Sequence, residues 1–317
     1  MPVDPLVSVI IPAYRAERTL GAALSSVLTQ TYARTEIVVC DDGSTDATAA
    51  IASAYGDRVR VISQDNAGVA AARNTAMAAA TGELYALLDA DDLWLPDYLR
   101  HMVATWRDAG ADRRMVTATA YFLTDAGISA RRRVIHDAVP LPQQRMRALE
   151  GPFVTGFALF PREMYVELGG FDVTLRTAED YDFWVRAVYA GYEVCFQMEP
   201  QALYRRAGAT LSQGVEQMAA DENTVLRRLL TDPGVELSAA ERARIELRLG
   251  SDSPLLHIAR GESALAGGDS RGAAREFAKA AELLPSNVGL RRKAALLRAP
   301  LTGRALATFQ ARRHRET

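Results

Sequence analysis

The sequence predicts an α/β fold with a mostly parallel central sheet in its first half, followed by an α-helical C-terminal region. Short apolar runs rich in β-branched residues recur as "VSVIIPAY", "EIVVC", "RVRVIS" and "LYALL", beginning at Val7, Glu36, Arg58 and Leu84. Segments with apolar residues at helical spacing separate these runs. Regular alternation of buried strands and helices is typical of a doubly wound parallel sheet.

Each element of this first half has its own local signals. The first strand is apolar throughout and is ended by Pro12, as expected for a strand buried on both faces. The segment after the second strand reads as a helix with Ser44 or Asp46 near its cap and Gly56 just beyond its end. A third helix, "GVAAARNTAMAAATG", is closed by Gly82. The first helix is predicted from apolar residues at helical spacing, namely Leu20, Ala23, Leu24, Val27 and Leu28.

The second half divides into a mixed region over residues 110–205 and a helical region from about residue 212 to the end. The predicted domains are therefore 1–211 and 212–317. Within 254–287, five residues fall at the spacings of one tetratricopeptide repeat: Gly261, Ala273, Phe277, Ala280 and Pro285. Such repeats normally need neighbours, so a few helices packed on the main domain are an equal alternative.

Composition excludes several classes of protein. A net charge of −2 over 317 residues gives no reason to expect nucleic acid as a partner. The two cysteines, Cys40 and Cys195, lie in apolar surroundings that suit buried thiols in a reducing compartment. No histidine pair has zinc-ligand spacing, no secretion signal opens the chain, and no apolar run spans a membrane. A cytoplasmic protein is predicted.

Three of the four predicted strands end in groups of residues that are candidates for ligand contacts. They are Pro12-Ala13-Tyr14, Asp41-Asp42-Gly43-Ser44 and Asp89-Ala90-Asp91, with Asp92 next in the chain. Ligands of parallel α/β sheets bind at the carboxyl ends of the strands, so these groups are expected to converge. Closely spaced carboxylates repel one another, and a divalent cation or its phosphate complex would compensate. The alternative for each group is a solvated turn that caps the next helix.

Three further charged residues near apolar segments are candidates. Arg73, in "AARN", is well placed to face phosphate, with a helix-surface charge as the alternative. Glu179 and Asp180 precede an apolar helix face, where acids also favour the first turn of a helix. Either acid is a candidate general base.

These segments, taken together and in order, resemble a family-2 inverting glycosyltransferase of GT-A fold, a Rossmann-like nucleotide-diphospho-sugar transferase. The similarity covers residues 6–205 and includes "GGFD" and "AEDYDFWVRA". It implies a nucleotide-diphosphate sugar donor, Mn²⁺ or Mg²⁺, and transfer of a hexosyl or N-acetylhexosaminyl group to a hydroxyl of a glycan or lipid-linked acceptor. It also implies a role in bacterial surface glycan or polysaccharide synthesis.

The resemblance assigns roles to the candidate residues. Pro12, Ala13 and Tyr14 would border the nucleotide, and Asp42, less surely Asp41, would contact its base. Arg73 would lie near the diphosphate. Asp89 with Ala90 would approach the ribose, Asp91 would ligate the metal, and Asp180, paired with Glu179, would be the general base. Asp92 has no assigned role.

Other functions stay open at this point. The chain lacks the membrane helices of processive synthases and a Gln-x-x-Arg-Trp motif after the acid pair, which favours single addition. A sugar-nucleotide pyrophosphorylase would need a glycine-rich, arginine-containing loop after the first strand, where "PAYRAERTL" stands instead. A non-catalytic nucleotide-sugar-binding scaffold is the alternative from another class.

The C-terminal tail and one internal segment bear on the acceptor. Eight basic residues and no acid lie between Ser286 and Arg315. A basic amphipathic surface there would attach peripherally to the inner face of the cell membrane, and a solvated helical cap is the alternative. The segment "RRRVIHDAVPLPQQRM", residues 131–146, is predicted to be an acceptor loop, with a surface connection as its alternative.

Overall fold

The computed structural model describes residues 4–110, 112–133, 138–206 and 214–298. The chain divides into two compact units. The first consists of Met1–Arg145 and Pro152–Ala209, and the second of Met146–Gly151 and Thr210–Thr317.

The first unit contains nine strands among its described residues. They are β1 (Val7–Ala13), β2 (Thr35–Asp41), β3 (Arg60–Ser63), β4 (Leu84–Leu87), β5 (Leu93–Trp94), β6 (Arg114–Thr124), β7 (Gly127–Arg133), β8 (Ala158–Pro161) and β9 (Glu193–Arg205). Its helices are α1 (Leu20–Leu28), α2 (Thr48–Ser53), α3 (Val69–Ala79), α4 (Tyr98–Asp108), α6 (Arg162–Leu168) and α7 (Glu179–Tyr189). Helix α5 (Leu141–Ala148) crosses the division between the units.

All these strands form one sheet in the order β3-β2-β1-β4-β8-β6-β9-β5, with β7 pairing with β6. The pairs β2–β3, β1–β2 and β1–β4 are parallel, so the predicted parallel half is confirmed. Beyond β4 the sheet is mixed, since β8 runs antiparallel to both β4 and β6 while β6 and β9 are parallel. The sheet is mostly parallel only in its first half.

The core of this unit lies between the sheet and the helices that cover it. Every residue of β1 is buried, as its continuous apolar run predicts. Helix α1 turns Leu20, Ala23, Leu24 and Val27 inward, whereas Leu28, at its last position, is 36% exposed. Helix α3 begins after Gly68, whose φ of +91° favours glycine, and it ends at Ala79 because Ala80 is extended.

The parallel half sets the position of the candidate residues. Strand β1 lies between β2 and β4, so their carboxyl ends share one edge of the sheet. The backbone pairing continues past the strand ends, where the amide of Asp42 donates to the carbonyl of Ala13 at 2.8 Å. The amide of Leu88 likewise donates to Ile10 at 3.1 Å. The ends of these strands therefore lie at one edge of the sheet, where the candidate residues are expected to converge.

The second unit is helical over its described residues. Its helices are α8 (Val215–Thr231), α9 (Ala239–Leu249), α10 (Pro254–Ala266), α11 (Ser270–Leu283) and α12 (Val288–Arg298). Helices α10 and α11 pack closely at Gly261, where an added Cβ would lie 2.9 Å from the Phe277 ring. The tetratricopeptide assignment stays a prediction. None of the described helices is both long and apolar enough to span a membrane.

Candidate active site

A cleft of about 780 Å³ opens at the carboxyl ends of β1 and β4, and we call it the strand-end cleft. Five of the predicted site residues line it: Pro12, Tyr14, Asp89, Ala90 and Asp91. The remaining predicted residues, which are Ala13, Asp41, Asp42, Arg73, Glu179 and Asp180, lie outside this lining. The cleft is also bordered by arginines, including Arg205 at the end of β9.

Asp91 presents its carboxylate to this cleft. Its side chain is exposed, and partial desolvation by the cleft walls together with the charge of Asp89 raises its pKa. The nearby charge of Arg205 acts in the opposite direction. A cation at this position would relieve the repulsion between the two aspartates.

Arg73 is buried and bridges two carboxylates. Its Nη2 lies 2.8 Å from Oδ1 of Asp89, and its Nη1 lies 2.8 Å from Oε1 of Glu179. The guanidinium also stands over the Phe171 ring, 5.4 Å from its centroid. Arg73 therefore links the end of β4 to the start of α7, two segments far apart in the chain.

The acid pair at the start of α7 is divided between two environments. Glu179 is buried, and its pKa is raised by desolvation, against the lowering effect of Arg73 and with a further rise from Asp180. Asp180 is half-buried, and its Oδ1 accepts from the amide of Tyr181 at 2.7 Å. Of the two, Asp180 is the more accessible carboxylate.

The aspartates after β2 have different partners. The carboxylate of Asp42 accepts from the amides of Ala67 and Gly68, both at 2.9 Å, and from Nε2 of Gln64 at 2.8 Å. It thus satisfies backbone donors at the start of α3. Oδ1 of Asp41 is buried and accepts no hydrogen bond from any described residue. A buried acceptor without a partner is costly, so Asp41 is the one of the pair suited to a ligand N–H.

The rest of the motif after β2 holds a loop of the cleft. The hydroxyl of Ser44 accepts from the amide of Arg15 at 2.9 Å, and that of Thr48 accepts from Ala16 at 2.8 Å. Arg15 has a φ of +49°, a strained conformation for a residue other than glycine. The hydrogen bond to Ser44 in the neighbouring loop holds this backbone in place. Asp46, rather than Ser44, accepts from the first amide of α2, at 3.1 Å. Of the two predicted cap residues, Ser44 and Asp46, only Asp46 makes this contact.

Asp92 and Arg205 were also missed as a pair. Oδ1 of the buried Asp92 accepts from the amide of Arg205 at 2.7 Å, and Nε of Arg205 donates to the carbonyl of Asp91 at 2.8 Å. Strands β5 and β9 pair antiparallel with Leu93 opposite Leu203, which brings Asp91 opposite Arg205 by extension. Only the pairing of strands distant in sequence reveals this contact.

The carboxylates of the cleft determine how a divalent metal could be held. In the described part of the chain, no three His, Cys, Asp or Glu side chains are grouped to hold a metal ion. Mg²⁺ and similar ions often take only one or two protein carboxylates and complete their shell with substrate phosphates and water. Asp91, with Asp89 beside it, fits that arrangement.

Comparison with known proteins defines the class to which this fold and site belong. The sequence profile of glycosyl transferase family 2 matches residues 8–169, about half of the chain. The chain therefore belongs to glycosyl transferase family 2, and the predicted resemblance is confirmed.

Three curated relatives show how far the similarity extends. A putative glycosyltransferase of Bacillus subtilis, EpsE, is 34% identical over 195 residues, 59% of this chain and 68% of that protein. The Escherichia coli UDP-Glc:alpha-D-GlcNAc-diphosphoundecaprenol beta-1,3-glucosyltransferase WfgD is 45% identical over 103 residues, 32% of this chain and 41% of that protein. An uncharacterized glycosyltransferase of Rickettsia felis is 33% identical over 189 residues, 57% of this chain but only 31% of its own length.

Solved structures confirm the fold. Staphylococcus aureus TarS 1–349 in complex with UDP-GlcNAc superposes with a TM-score of 0.64 at 18% identity, covering 98% of this chain and 92% of that one. The mannosyltransferase PcManGT of Pyrobaculum calidifontis, in complex with GDP-Man and Mn²⁺, gives a TM-score of 0.59 at 21% identity, covering 97% and 85%. The predicted GT-A fold is thereby confirmed.

Proposed function

We propose that this chain transfers a sugar from a nucleotide-diphosphate donor to an acceptor hydroxyl, with inversion and with a divalent metal, in bacterial glycan or polysaccharide synthesis. The observation that carries the proposal is the strand-end cleft of a family-2 fold, with the exposed Asp91 beside the Arg73-bridged Asp89. Two carboxylates this close together in a cleft favour a bound cation together with its phosphate ligand.

The metal part of the proposal assigns Asp91 as the ligand of Mn²⁺ or Mg²⁺. Asp89 is less available, because one of its oxygens is held by Arg73. A bound divalent ion would neutralise charge that develops on the leaving diphosphate. The complex named for PcManGT contains Mn²⁺ and GDP-Man, which supports the choice of metal and of donor class.

The nucleotide part of the proposal moves the base contact from Asp42 to Asp41. Asp42 already accepts three hydrogen bonds within the protein, whereas Oδ1 of Asp41 is buried and lacks a partner among the described residues. An N–H of the base would satisfy that oxygen. Tyr14, which is 46% exposed at the cleft, and the neighbouring Ala13 would border the nucleotide.

For the chemical step we propose Asp180 as general base. Its carboxylate removes the proton of the acceptor hydroxyl while that oxygen forms a bond to the anomeric carbon. The bond from this carbon to the diphosphate oxygen breaks in the same displacement, and the leaving group keeps the electron pair. Arg73 acts as a positioning residue, because its two Nη groups already hold Glu179 and Asp89.

The acceptor is proposed to be a glycan or lipid-linked hydroxyl at the cytoplasmic face of the membrane. The name of WfgD describes a diphosphoundecaprenol-linked acceptor, which supports this class. In the described part of the basic tail, Arg291, Arg292 and Arg298 on α12 are exposed, and Lys293 stands over the Phe277 ring at 4.0 Å. Residues 299–317 of the predicted membrane contact lie outside the described residues.

A panel of nucleotide sugars tests the proposed function. The protein is incubated with UDP-, GDP- and dTDP-linked sugars and Mn²⁺, and release of the nucleoside diphosphate is followed over time. Slow release from one donor, suppressed by a chelator, is the expected result. Binding of a donor without release, even after acceptor glycans are added, would instead identify a non-catalytic scaffold.

A further inference from the structure

The strongest unassigned feature of the strand-end cleft is the way Arg205 is held. Arg205 is the last residue of β9, and two contacts fix it from the neighbouring acidic segment. Its amide donates to Oδ1 of Asp92, and its Nε donates to the carbonyl of Asp91, at 2.7 and 2.8 Å. Both backbone and side chain are therefore oriented before any ligand arrives.

The charge of Arg205 is not neutralised by an ion pair with any described residue. No carboxylate in the described ranges lies within 4.0 Å of its guanidinium, and Nε is its only guanidinium nitrogen with a partner among those residues. A guanidinium with Nε anchored has its two Nη groups available for two oxygens of one anion. Arg205 also lines the same cleft as Asp91.

Neighbouring arginines of the cleft are held differently. The guanidinium of Arg206 lies 5.9 Å from the centroid of the Phe122 ring, and that of Arg15 lies 5.2 Å from the centroid of Tyr14. Neither Arg15 nor Arg206 has the paired amide and Nε anchors that fix Arg205 to Asp92 and Asp91. Pre-orientation lowers the entropic cost of forming hydrogen bonds to a ligand.

We infer that Arg205 binds the diphosphate of the donor directly, opposite the cation site at Asp91, and that buried Asp92 positions it for this contact. The inference rests on the proposed function and adds a second, metal-independent anchor for the diphosphate. It also gives the tandem aspartates separate tasks, since Asp91 faces the cleft and Asp92 faces the backbone of β9. If Arg205 had only a structural role, its substitution would not change the affinity for a ligand according to the number of phosphates that the ligand carries.

Calorimetry with UDP, GDP and dTDP, with Mn²⁺ or with a chelator, tests the inference. With whichever diphosphate the wild type binds, Arg205→Ala is expected to weaken binding about 10- to 100-fold, as loss of charge-assisted hydrogen bonds does. The loss should persist in chelator, where Asp91→Asn has little effect, and should be smaller for the matching nucleoside monophosphate. Arg205→Lys should be intermediate, because it keeps the charge but loses the fork.

Two variants complete the design. Asp92→Ala should weaken diphosphate binding several-fold, with the folded fraction checked by thermal unfolding. The control is Arg100→Ala, which should bind as the wild type does. Arg100 is an exposed residue of α4, pairs with Asp97 just before that helix, and lies outside the cleft lining. Equal diphosphate affinity of wild type and Arg205→Ala, or an equal loss for the monophosphate, would overturn the inference while the proposed function stands. Failure of the wild type to bind any nucleoside diphosphate would overturn both.

Discussion

Two buried arginines, one in each unit, show how the same ion pair serves different purposes. Arg73 holds Glu179 at 2.8 Å, and Arg248 holds Glu222 at 2.9 Å. The second contact differs, because Arg73 reaches another carboxylate, Asp89, whereas Arg248 donates to the carbonyl of Leu149 at 2.8 Å. The Arg248 pair is balanced, but the Arg73 cluster carries an excess of negative charge.

That excess is what separates a structural ion pair from a candidate active site. Two more acids lie near the Arg73 cluster. The charge of Asp180 on α7 raises the pKa of Arg73, and the charge of Asp89 raises the pKa of Asp91 in the cleft. Repulsion of this kind is tolerated where a ligand or a reaction makes use of it. Substitutions around Arg248 should therefore change stability, and substitutions around Arg73 should change activity.

The largest effect is expected for Arg248→Ala. This change leaves the carboxylate of Glu222 buried without its partner, which typically costs about 3–5 kcal/mol of unfolding free energy. Urea unfolding followed by circular dichroism measures the loss. Arg260→Ala, which breaks an exposed pair with Asp252, is the matched control and should change little. Equal stability of the two variants would contradict the structural role of the Arg248–Glu222 pair.

Asp180→Asn is expected to lower kcat about 100-fold or more, the usual contribution of a positioned general base. Its melting temperature and its donor affinity should stay close to those of the wild type, because the side chain is half-buried and hardly changes in volume. Steady-state kinetics with the preferred donor measures the change. If Glu179→Gln were the crippling variant and Asp180→Asn the mild one, Glu179 would be the base.

Arg73→Lys tests whether the bridge matters for chemistry. An ammonium cannot reproduce the two-armed contact to Glu179 and Asp89, so we expect kcat to fall about 10- to 100-fold through misplacement of the acid pair. Because Arg73 lowers the pKa of Glu179, a weaker contact in Arg73→Lys should raise the pKa of that carboxyl, which carboxyl titration by NMR would measure. Arg186→Lys, which alters a pair with Asp182 on the same helix, should leave the pKa of Glu179 unchanged.

The smallest effect is expected at Glu36, whose carboxylate makes a pH-dependent contribution to the free energy of unfolding. Desolvation opposes ionisation there, but hydrogen bonds from Ser8, Thr81 and Gly82 outweigh it and lower the pKa. A lowered pKa stabilises the fold above the carboxyl's unfolded pKa, and this stability is lost as the pH falls through the folded pKa. Glu36→Gln should cost about 1 kcal/mol at pH 7 and nothing at low pH. A pH-independent difference would contradict this origin.

Local patterns predicted much of the fold. The first four strands, α1, α3 and α7 follow from apolar spacing and glycine positions, and the strand-end placement of Pro12, Tyr14 and Asp91 follows from the parallel order. The insertion of β8 between β4 and β6 could not be predicted, because pairing of distant strands leaves no trace in periodicity. The side-chain contacts within the site could not be predicted for the same reason.

The partners of individual carboxylates illustrate this limit. Arg73 and Glu179 are separated by 106 positions, and Asp92 and Arg205 by 113. Asp41 and Asp42 look alike in sequence, yet α3 uses only the second. Which acid is free for a ligand depends on where the backbone donors lie, and that is a property of the folded chain.

Calorimetry on Asp91→Asn is the most direct test of the central claim, that the strand-end cleft binds a nucleoside diphosphate together with a divalent cation. Wild type and variant are titrated with the preferred nucleoside diphosphate in Mn²⁺, with Asp252→Asn as a surface control. The variant should lose the Mn²⁺-dependent part of the affinity, because one charged ligand of a hard cation is removed with almost no change in volume. Unchanged Mn²⁺-dependent affinity in Asp91→Asn would contradict the account.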